Sequence, residues 1–309
     1  MKINRLTTFA IVAAFAACAA HAQSTPNCEA LAKLAIPQAK ITSVESVAAG
    51  ALTLPGQGSP AQAAAASAFF KSLPAFCRVA VDSTPSSDSD IKIEVWLPAS
   101  NWNGKFQGQG NGGFAGSIDY RGMGTAITQG YASASTDTGH TASTAGLGAA
   151  WALNHPEKIT DFGYRAIHLM TQIAKILVTN YYGSNAQHSY FSACSNGGRQ
   201  ALMEAQRYPD DYDGIIAGAP ANYWTHLLAN SIWNTQALAL DPASYISAKK
   251  LPAIASAVND ACDKLDGVAD GILNDPRQCH FDPNVLLCKD ADADSCLTAP
   301  QITALKKLY

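Results

Sequence analysis

Ser195 stands in the stretch FSACSNGGRQALMEAQRYPDDYDGIIAGAP, residues 191 to 220, between an apolar run and a run of helix formers. A serine on a sharp strand-to-helix turn presents its hydroxyl as a nucleophile, and that turn needs small residues two before and two after it so that neighbouring backbone can pass. Ala193 and Gly197 occupy those positions, the alanine replacing the first glycine of the usual G-x-S-x-G pattern. The backbone N–H of Asn196, opening the following helix, is placed to supply half of an oxyanion hole. The other half is expected from a loop after an earlier strand, where Gly110, Gly112 and Gly113 fall in the right chain order. Glycine lets a backbone N–H approach a substrate with no Cβ in the way. By position alone this stretch reads equally well as a plain loop.

A nucleophilic serine needs a base, and the base an orienting acid. On a strand-turn-helix scaffold of this kind the chain order is serine, acid, histidine. Downstream of Ser195 only His226 and His280 remain. His226 follows too soon, His280 sits beside Cys279, and neither has an acid in a strand-end context before it. Upstream, TDTGH offers Asp137 and His140, but the order is wrong, so a turn-stabilising or substrate-lining role is expected for them.

A second chemical candidate is DKLDGVADGI, residues 263 to 272, with carboxylates at Asp263, Asp266 and Asp270 and glycines at 267 and 271 that let the chain curl. Calcium takes about six to eight oxygens in flexible geometry, carboxylates and backbone carbonyls together. The spacing is not that of an EF-hand, and composition alone leaves a solvated acidic turn equally favoured. DADADS, residues 290 to 295, alternates carboxylates without a shaped surround and is expected to be a solvated turn.

Positioning these residues falls to strands and helices read from periodicity. IKIEVWL, 91 to 97, alternates as a strand does; YASASTDTGH, 131 to 140, reads as a short strand and turn. Residues 161 to 182 repeat apolar side chains at helical spacing, with Asp161 as the expected cap and Gly183 as the stop. A strand at 188 to 194, a helix from about 197 to 208 before Pro209, and a strand at 214 to 220 follow. Alternating strands and helices predict a parallel-rich sheet flanked by helices, an α/β fold. Beyond residue 222 the chain turns rich in Trp, Asn, Asp and Cys with little periodicity, which predicts a second, loop-rich unit stapled by disulfides. Trp224 and Trp233 are pocket-lining candidates there, with burial in the packing of that unit as the favoured reading. AQAAAASA, 61 to 68, reads as an ordinary helix.

Composition bounds the partners. Charged residues are 15% of the chain, against about 25% in an average soluble protein. With net charge −3 and no basic stripe, nucleic acid and anionic membrane surfaces are poor partners. Lys2 and Arg5 precede an uncharged run from Leu6 to Ala17, and Ala20-His21-Ala22 offers a cleavage site. This predicts a signal peptide over residues 1–22 and secretion, with 309 − 22 = 287 residues after cleavage. The run is too short for stable membrane insertion, and Phe15 disfavours lipidation of Cys18. Seven cysteines then remain. In an oxidising compartment, sequence neighbours pair as Cys28 with Cys77, Cys262 with Cys279, and Cys288 with Cys296, leaving Cys194 over. No Cys/His cluster has zinc spacing.

CSNGGRQALMEAQRYPDDYDGIIAGAPA, preceded by WNGKF, GNGGFAG and STDTGH and followed by DACDKLDGVADGIL, closely resembles the tannase and feruloyl esterase family, whose members include a mono(2-hydroxyethyl) terephthalate hydrolase. The resemblance covers nearly all of the chain after the leader. It implies an α/β-hydrolase domain interrupted by a lid, here 23–221 for the first part of the domain and 222–309 for the first part of the lid. It implies Ser195 as nucleophile and the backbone N–H groups of Asn196 and Gly113 as oxyanion donors. It implies a structural Ca2+ held by the side chains of Asp263, Asp266 and Asp270 and the carbonyls of Val268 and Ile272.

The same resemblance places the acid and the histidine after the lid, and a cysteine beside that histidine as the partner of Cys194. The expectation is therefore a chain truncated at its C-terminus, with catalytic acid, histidine and lid completion beyond Tyr309. The leading reading is a secreted serine carboxylic ester hydrolase acting through an acyl-enzyme on small esters of aromatic acids, feruloyl, galloyl or related. The alternative is a non-catalytic fragment, at most a calcium-stabilised binding protein.

Overall fold

A computed structural model describes residues 27–54, 60–141 and 148–309, and the backbone alone at 60–63. The leader expected over residues 1–22, and Cys18 with it, lie outside the described residues. Seven strands form one mixed sheet: β1 (Ala39–Val47), β2 (Phe76–Ser83), β3 (Ile91–Pro98), β4 (Lys105–Gln109), β5 (Ala132–Thr136), β6 (His188–Cys194) and β7 (Gly214–Gly218), in the spatial order β1-β2-β3-β5-β4-β6-β7. The pairs β1–β2, β2–β3 and β3–β5 are antiparallel, whereas β5, β4, β6 and β7 are mutually parallel.

The helices are α1 (Pro60–Phe70), α2 (Tyr120–Thr128), α3 (Pro156–Thr160), α4 (Ala166–Tyr182), α5 (Asn196–Arg207), α6 (Trp224–Ala239), α7 (Leu251–Cys262) and α8 (Ala299–Leu308). Alternation along β3 divides the sheet into two faces. Ile91, Ile93, Val95 and Leu97 join Ile167, Met170, Ala174, Leu177 and Ala201 of α4 and α5 in one core. Trp96 and Phe76 pack on the other face with Met123 and Ile127 of α2 and Phe70 of α1. Burial of such side chains contributes roughly 1.5–3 kcal/mol each.

The parallel strands account for where a site can form. β4 connects to β5 through α2 on one face, and β5 to β6 through α4 on the other, so the chain departs to opposite sides of β4. In open α/β sheets the crevice at such a reversal, at the carboxyl ends of the strands, is where ligands bind. Here β5, β4 and β6 end at Thr136, Gln109 and Cys194, just before TDTGH, the glycine stretch and Ser195 respectively.

One sequence expectation is overturned locally. Asp161 does not cap the long helix: α3 already begins at Pro156, a wide turn spans Asp161–Arg165, and α4 follows without a break. Asp161 is fully buried and accepts a hydrogen bond from Arg165 Nε at 2.6 Å. A buried carboxylate with a guanidinium four residues on outweighs the capping preference read from residue type. Gly183 does end α4, at φ 72°.

The described residues up to Ala219 form one compact unit and Pro220–Tyr309 a second. The second unit packs Ile254, Leu297, Ile302 and Leu305 from α7, α8 and the strand-like bridge before α8. Cys262–Cys279 and Cys288–Cys296 are disulfides within it, and Cys28–Cys77 is a disulfide in the first unit. Residues 290–295 are an exposed turn, as their composition suggests. They wrap the buried Lys250, whose ammonium donates to Asp292 Oδ1 and to the carbonyls of Ala293 and Cys296. Among the described residues no helix is long and apolar enough to cross a membrane.

Candidate active site

Ser195 joins β6 to α5 with φ 62° and ψ −121°. A non-glycine residue with φ above zero is strained, and such strain gathers at functional turns. The turn is held on both sides: Ser195 N–H donates to the Gly218 carbonyl at 3.0 Å, and the Ser195 carbonyl accepts from Arg199 N–H at 3.1 Å. Ser195 is exposed, while Asn196 behind it is buried and opens α5.

The small residues around the turn are a packing requirement. A Cβ on Gly197 would lie 2.5 Å from the Ala193 Cβ. One on Gly110 would lie 2.6 Å from Gln200 Oε1, 2.7 Å from the Ala193 Cβ and 2.9 Å from the Gly197 Cα. The Ala193 Cβ therefore already fills the space beside both glycines, and Gly110 at the end of β4 is what lets the glycine loop press against the elbow.

That loop is fixed by three groups of contacts. Gln200 of α5 accepts from Asn111 N–H through Oε1 at 3.0 Å and donates through Nε2 to Asn111 Oδ1 at 2.9 Å. Asn111 Nδ2 in turn donates to the carbonyls of Ser117 and Thr136, at 2.8 and 2.6 Å. Gly113 takes φ 56°, a left-handed conformation that favours glycine. His140 Nε2 donates to the Phe114 carbonyl at 2.7 Å, and Gly116 N–H to the Asp137 carbonyl at 3.0 Å. Asn111, Gln200 and the bracing role of His140 towards the loop were missed from sequence, since only the contact partners reveal them.

Asp137 and His140 are thus turned to the loop and its turn. Asp137 Oδ1 accepts from Gly139 N–H and Lys92 N–H at 2.8 and 3.0 Å. Burial pushes the Asp137 carboxyl up to about 7 and pushes the His140 imidazole below its usual value. His140 stacks on Trp151, ring centroids 3.8 Å apart. Behind the elbow, Arg199 Nε donates to Asn196 Oδ1 and its other nitrogens to the carbonyls of Gly163 and Phe162. Burial lowers this guanidinium to about 10.

Among the described residues no histidine or carboxylate hydrogen-bonds the Ser195 hydroxyl. The histidines are engaged elsewhere or exposed: His155 with Asp88, His168 with Asp211, and His226 stacked on Tyr223. His188 and His280 are exposed. Cys194 is exposed and is the free cysteine among the described residues.

The model for tannase and feruloyl esterase matches residues 77–309. The chain belongs to the tannase and feruloyl esterase family. It is 45% identical over 294 residues to an uncharacterized esterase of Xanthomonas campestris pv. campestris, covering 95% of this chain and 49% of that protein. It is 37% identical to a probable feruloyl esterase B-1 of Aspergillus fumigatus, over 76% of this chain and 44% of the other. The crystal structure of feruloyl esterase B from Aspergillus oryzae superposes with a TM-score of 0.76 at 33% identity, over 90% of this chain and 54% of that one. The chain spans about half the length of the curated relatives it matches. The mixed sheet with flanking helices is an α/β-hydrolase fold, as in these esterases.

In this family member the acidic loop follows α7 directly. Gly267 and Gly271 take φ 94° and 78°, so the chain curls back on itself. Asp263 Oδ1 accepts from Gly271 N–H at 2.8 Å and Asp266 Oδ2 from Asn274 N–H at 3.3 Å, each closing the loop across eight residues. Asp266 and Asp270 also accept from the N–H groups of Val268 and Ile272 at 3.0 Å. The Cys262–Cys279 disulfide ties the loop's flanks together. Carboxylates and carbonyls are the donor types a hard cation such as Ca2+ takes, and in this structure the three carboxylates accept from N–H groups of their own loop. Trp233 is exposed, not packed inside its unit, and its ring N–H donates to the Lys307 carbonyl at the end of α8. Trp224 is half-buried.

Proposed function

We propose that the chain carries the nucleophile half of a secreted serine carboxylic ester hydrolase for esters of aromatic acids. The observation that carries this reading is the strained Ser195 turn between β6 and α5, packed against the glycine loop after β4, in a member of an esterase family. Relatives that are named feruloyl esterases support a hydroxycinnamoyl or similar aromatic acyl group.

Ser195 Oγ attacks the ester carbonyl carbon as its proton passes to a base. The oxyanion is held by the N–H groups of Asn196 and Gly113, the alcohol leaves with a proton returned by that base, and water then cleaves the acyl-enzyme. The base and its acid are supplied from outside the described residues, through a segment tied to the serine turn by Cys194. Asp263, Asp266 and Asp270, with the carbonyls of Val268 and Ile272, would hold a Ca2+ ion whose role would be to brace the second unit's loop rather than to act on the ester. The three disulfides and the leader pattern support secretion.

The unpartnered Ser195 hydroxyl favours a second reading for residues 1–309 taken alone, a calcium-stabilised protein without turnover. Hydrolysis of methyl ferulate separates them. Turnover that Ser195→Ala abolishes supports the esterase. Turnover that survives this substitution excludes Ser195 as nucleophile, and its absence from any longer product of the same gene excludes the esterase.

A further inference from the structure

We propose that His168, Glu204 and Asp211 bind one divalent transition-metal ion of the zinc class, in a site between α4 and the C-terminal part of α5 that is separate from the Ser195 turn. One imidazole nitrogen and one oxygen from each carboxylate lie within 4.8 Å of one another. His168 comes from α4, Glu204 from α5, and Asp211 from the turn leading into β7. Metal bonds of about 2.0–2.2 Å set neighbouring donor atoms roughly 3–4 Å apart, so the cluster needs only small side-chain rotations to close on an ion.

The second observation is Glu204 itself. It is fully buried, and neither carboxylate oxygen has a hydrogen-bond donor among the described residues. Buried polar groups without partners are rare and mark strain, function or a missing ion. The facing group, Asp211, is another buried carboxylate. Two such groups side by side call for a positive occupant.

The surroundings are arranged as for a metal site. His168 Nδ1 hydrogen-bonds Asp211 Oδ2 at 2.6 Å, a bond between two of the ligands that an entering ion replaces, and Gln172 Nε2 donates to Asp211 Oδ1 at 2.6 Å from outside the set. An outer partner such as Gln172 orients a metal-binding carboxylate. Tyr208 stacks on the imidazole with centroids 3.8 Å apart and fixes its plane. The Lys175 ammonium is nearby but donates to the Asp211 main-chain carbonyl, leaving the carboxylate to an ion. The His168 side chain is 28% exposed, which gives an ion a way in from solvent. A nitrogen donor with two carboxylates suits Zn2+, Co2+ or Ni2+ over Ca2+ or Mg2+, which take oxygen ligands.

The rival occupant is a proton. Burial, and then the Asp211 carboxylate, push Glu204 well above the usual carboxylate range, so without an ion it carries that proton, which an entering metal displaces. A bound ion pins α5 about 12 Å along its axis from the elbow, eight residues at roughly 1.5 Å each.

The test is titration of the chelator-treated full chain with Zn2+, by calorimetry in saturating Ca2+, and with Co2+ by visible absorption. The expected result is one ion per chain, a raised Tm, and cobalt bands without a thiolate charge-transfer band. Glu204→Gln and His168→Gln each weaken binding about tenfold or more, His168→Gln serving if the buried variant does not fold. No binding by the wild type overturns the proposal, as does binding that either folded variant retains unchanged. A thiolate band that Cys194→Ser removes also overturns it, by placing the ion on Cys194. A wild type that binds nothing while Glu204→Gln raises Tm identifies the occupant as a proton.

Discussion

Gln200 and Asn111, 89 residues apart, are joined by two hydrogen bonds, one from the Asn111 N–H to Gln200 Oε1 and one from Gln200 Nε2 to Asn111 Oδ1. The first turn of α5 and the loop after β4 are thereby locked together, so the N–H of Asn196 and the glycine loop share one frame. An oxyanion hole assembled from two separate segments needs such a lock, because its donors must already be in place when charge develops.

Gln200→Ala removes both bonds and leaves the Asn111 N–H and Oδ1 buried without partners. An unsatisfied buried group costs about 1–3 kcal/mol. The expected outcome is a lowered Tm, together with a fall in kcat for an aromatic ester in any form of the protein that turns over, with KM changing less. An unchanged kcat at a lowered Tm would show the pair to be structural only.

Gly110→Ala and Gly112→Ala make a matched pair. The first sets a Cβ within 3 Å of Gln200, Ala193 and Gly197, whereas the second meets nothing within 4 Å. Overpacking costs about 1–3 kcal/mol, so urea denaturation should separate the two variants by that amount. Equal midpoints would contradict the close approach.

Asp137 imposes a pH dependence whose sign is fixed. Burial raises its folded pKa to about 7, while the unfolded value is about 3.9. Between those values the folded state holds a proton that the unfolded state has released, so stability falls as pH rises through the window, by up to about 1.4 kcal/mol per pH unit. Asp137→Asn keeps a carbonyl oxygen for the Gly139 and Lys92 N–H groups. Its urea midpoint, followed from pH 4 to 8, should fall less than that of the wild type; parallel curves would place the titration elsewhere.

Calcium removal provides a readout for the acidic loop. EGTA should lower the Tm of the wild type and leave Asp266→Ala or Asp270→Ala unchanged, since those variants have already lost the ion. A wild-type melting curve indifferent to EGTA would count against the calcium assignment.

Cys194 is exposed. In residues 23–309 taken alone, Ellman's reagent should find one thiol per chain, and none in Cys194→Ser; in a longer product that pairs Cys194, it should find none there. Two or more thiols in the wild type would mean that one of the three disulfides had not formed.

Contiguous sequence determined a good deal of this protein. The strand, serine and helix of residues 188–207 announce themselves because periodicity and a small-residue turn are local properties. The three disulfides were legible because each joins cysteines that follow one another in the chain once Cys194 is set aside. The curl of residues 263–272 was legible from glycines placed where φ must turn positive. What sequence could not show was any relation carried across the sheet. Asp161 read as a cap because its type is right for one, but its surroundings include an arginine one turn on and a buried position against Gly139. DADADS is the exposed turn its composition suggests, but its hold on the buried Lys250 was not legible, because that lysine lies some forty residues before it. The Asn111–Gln200 lock, the His140 brace and the His168–Glu204–Asp211 cluster exist only once the order β5-β4-β6-β7 sets distant loops and helices side by side. Residue type and spacing encode what a segment can do alone; which side chains it meets follows from the sheet order, and that was decided by tertiary packing.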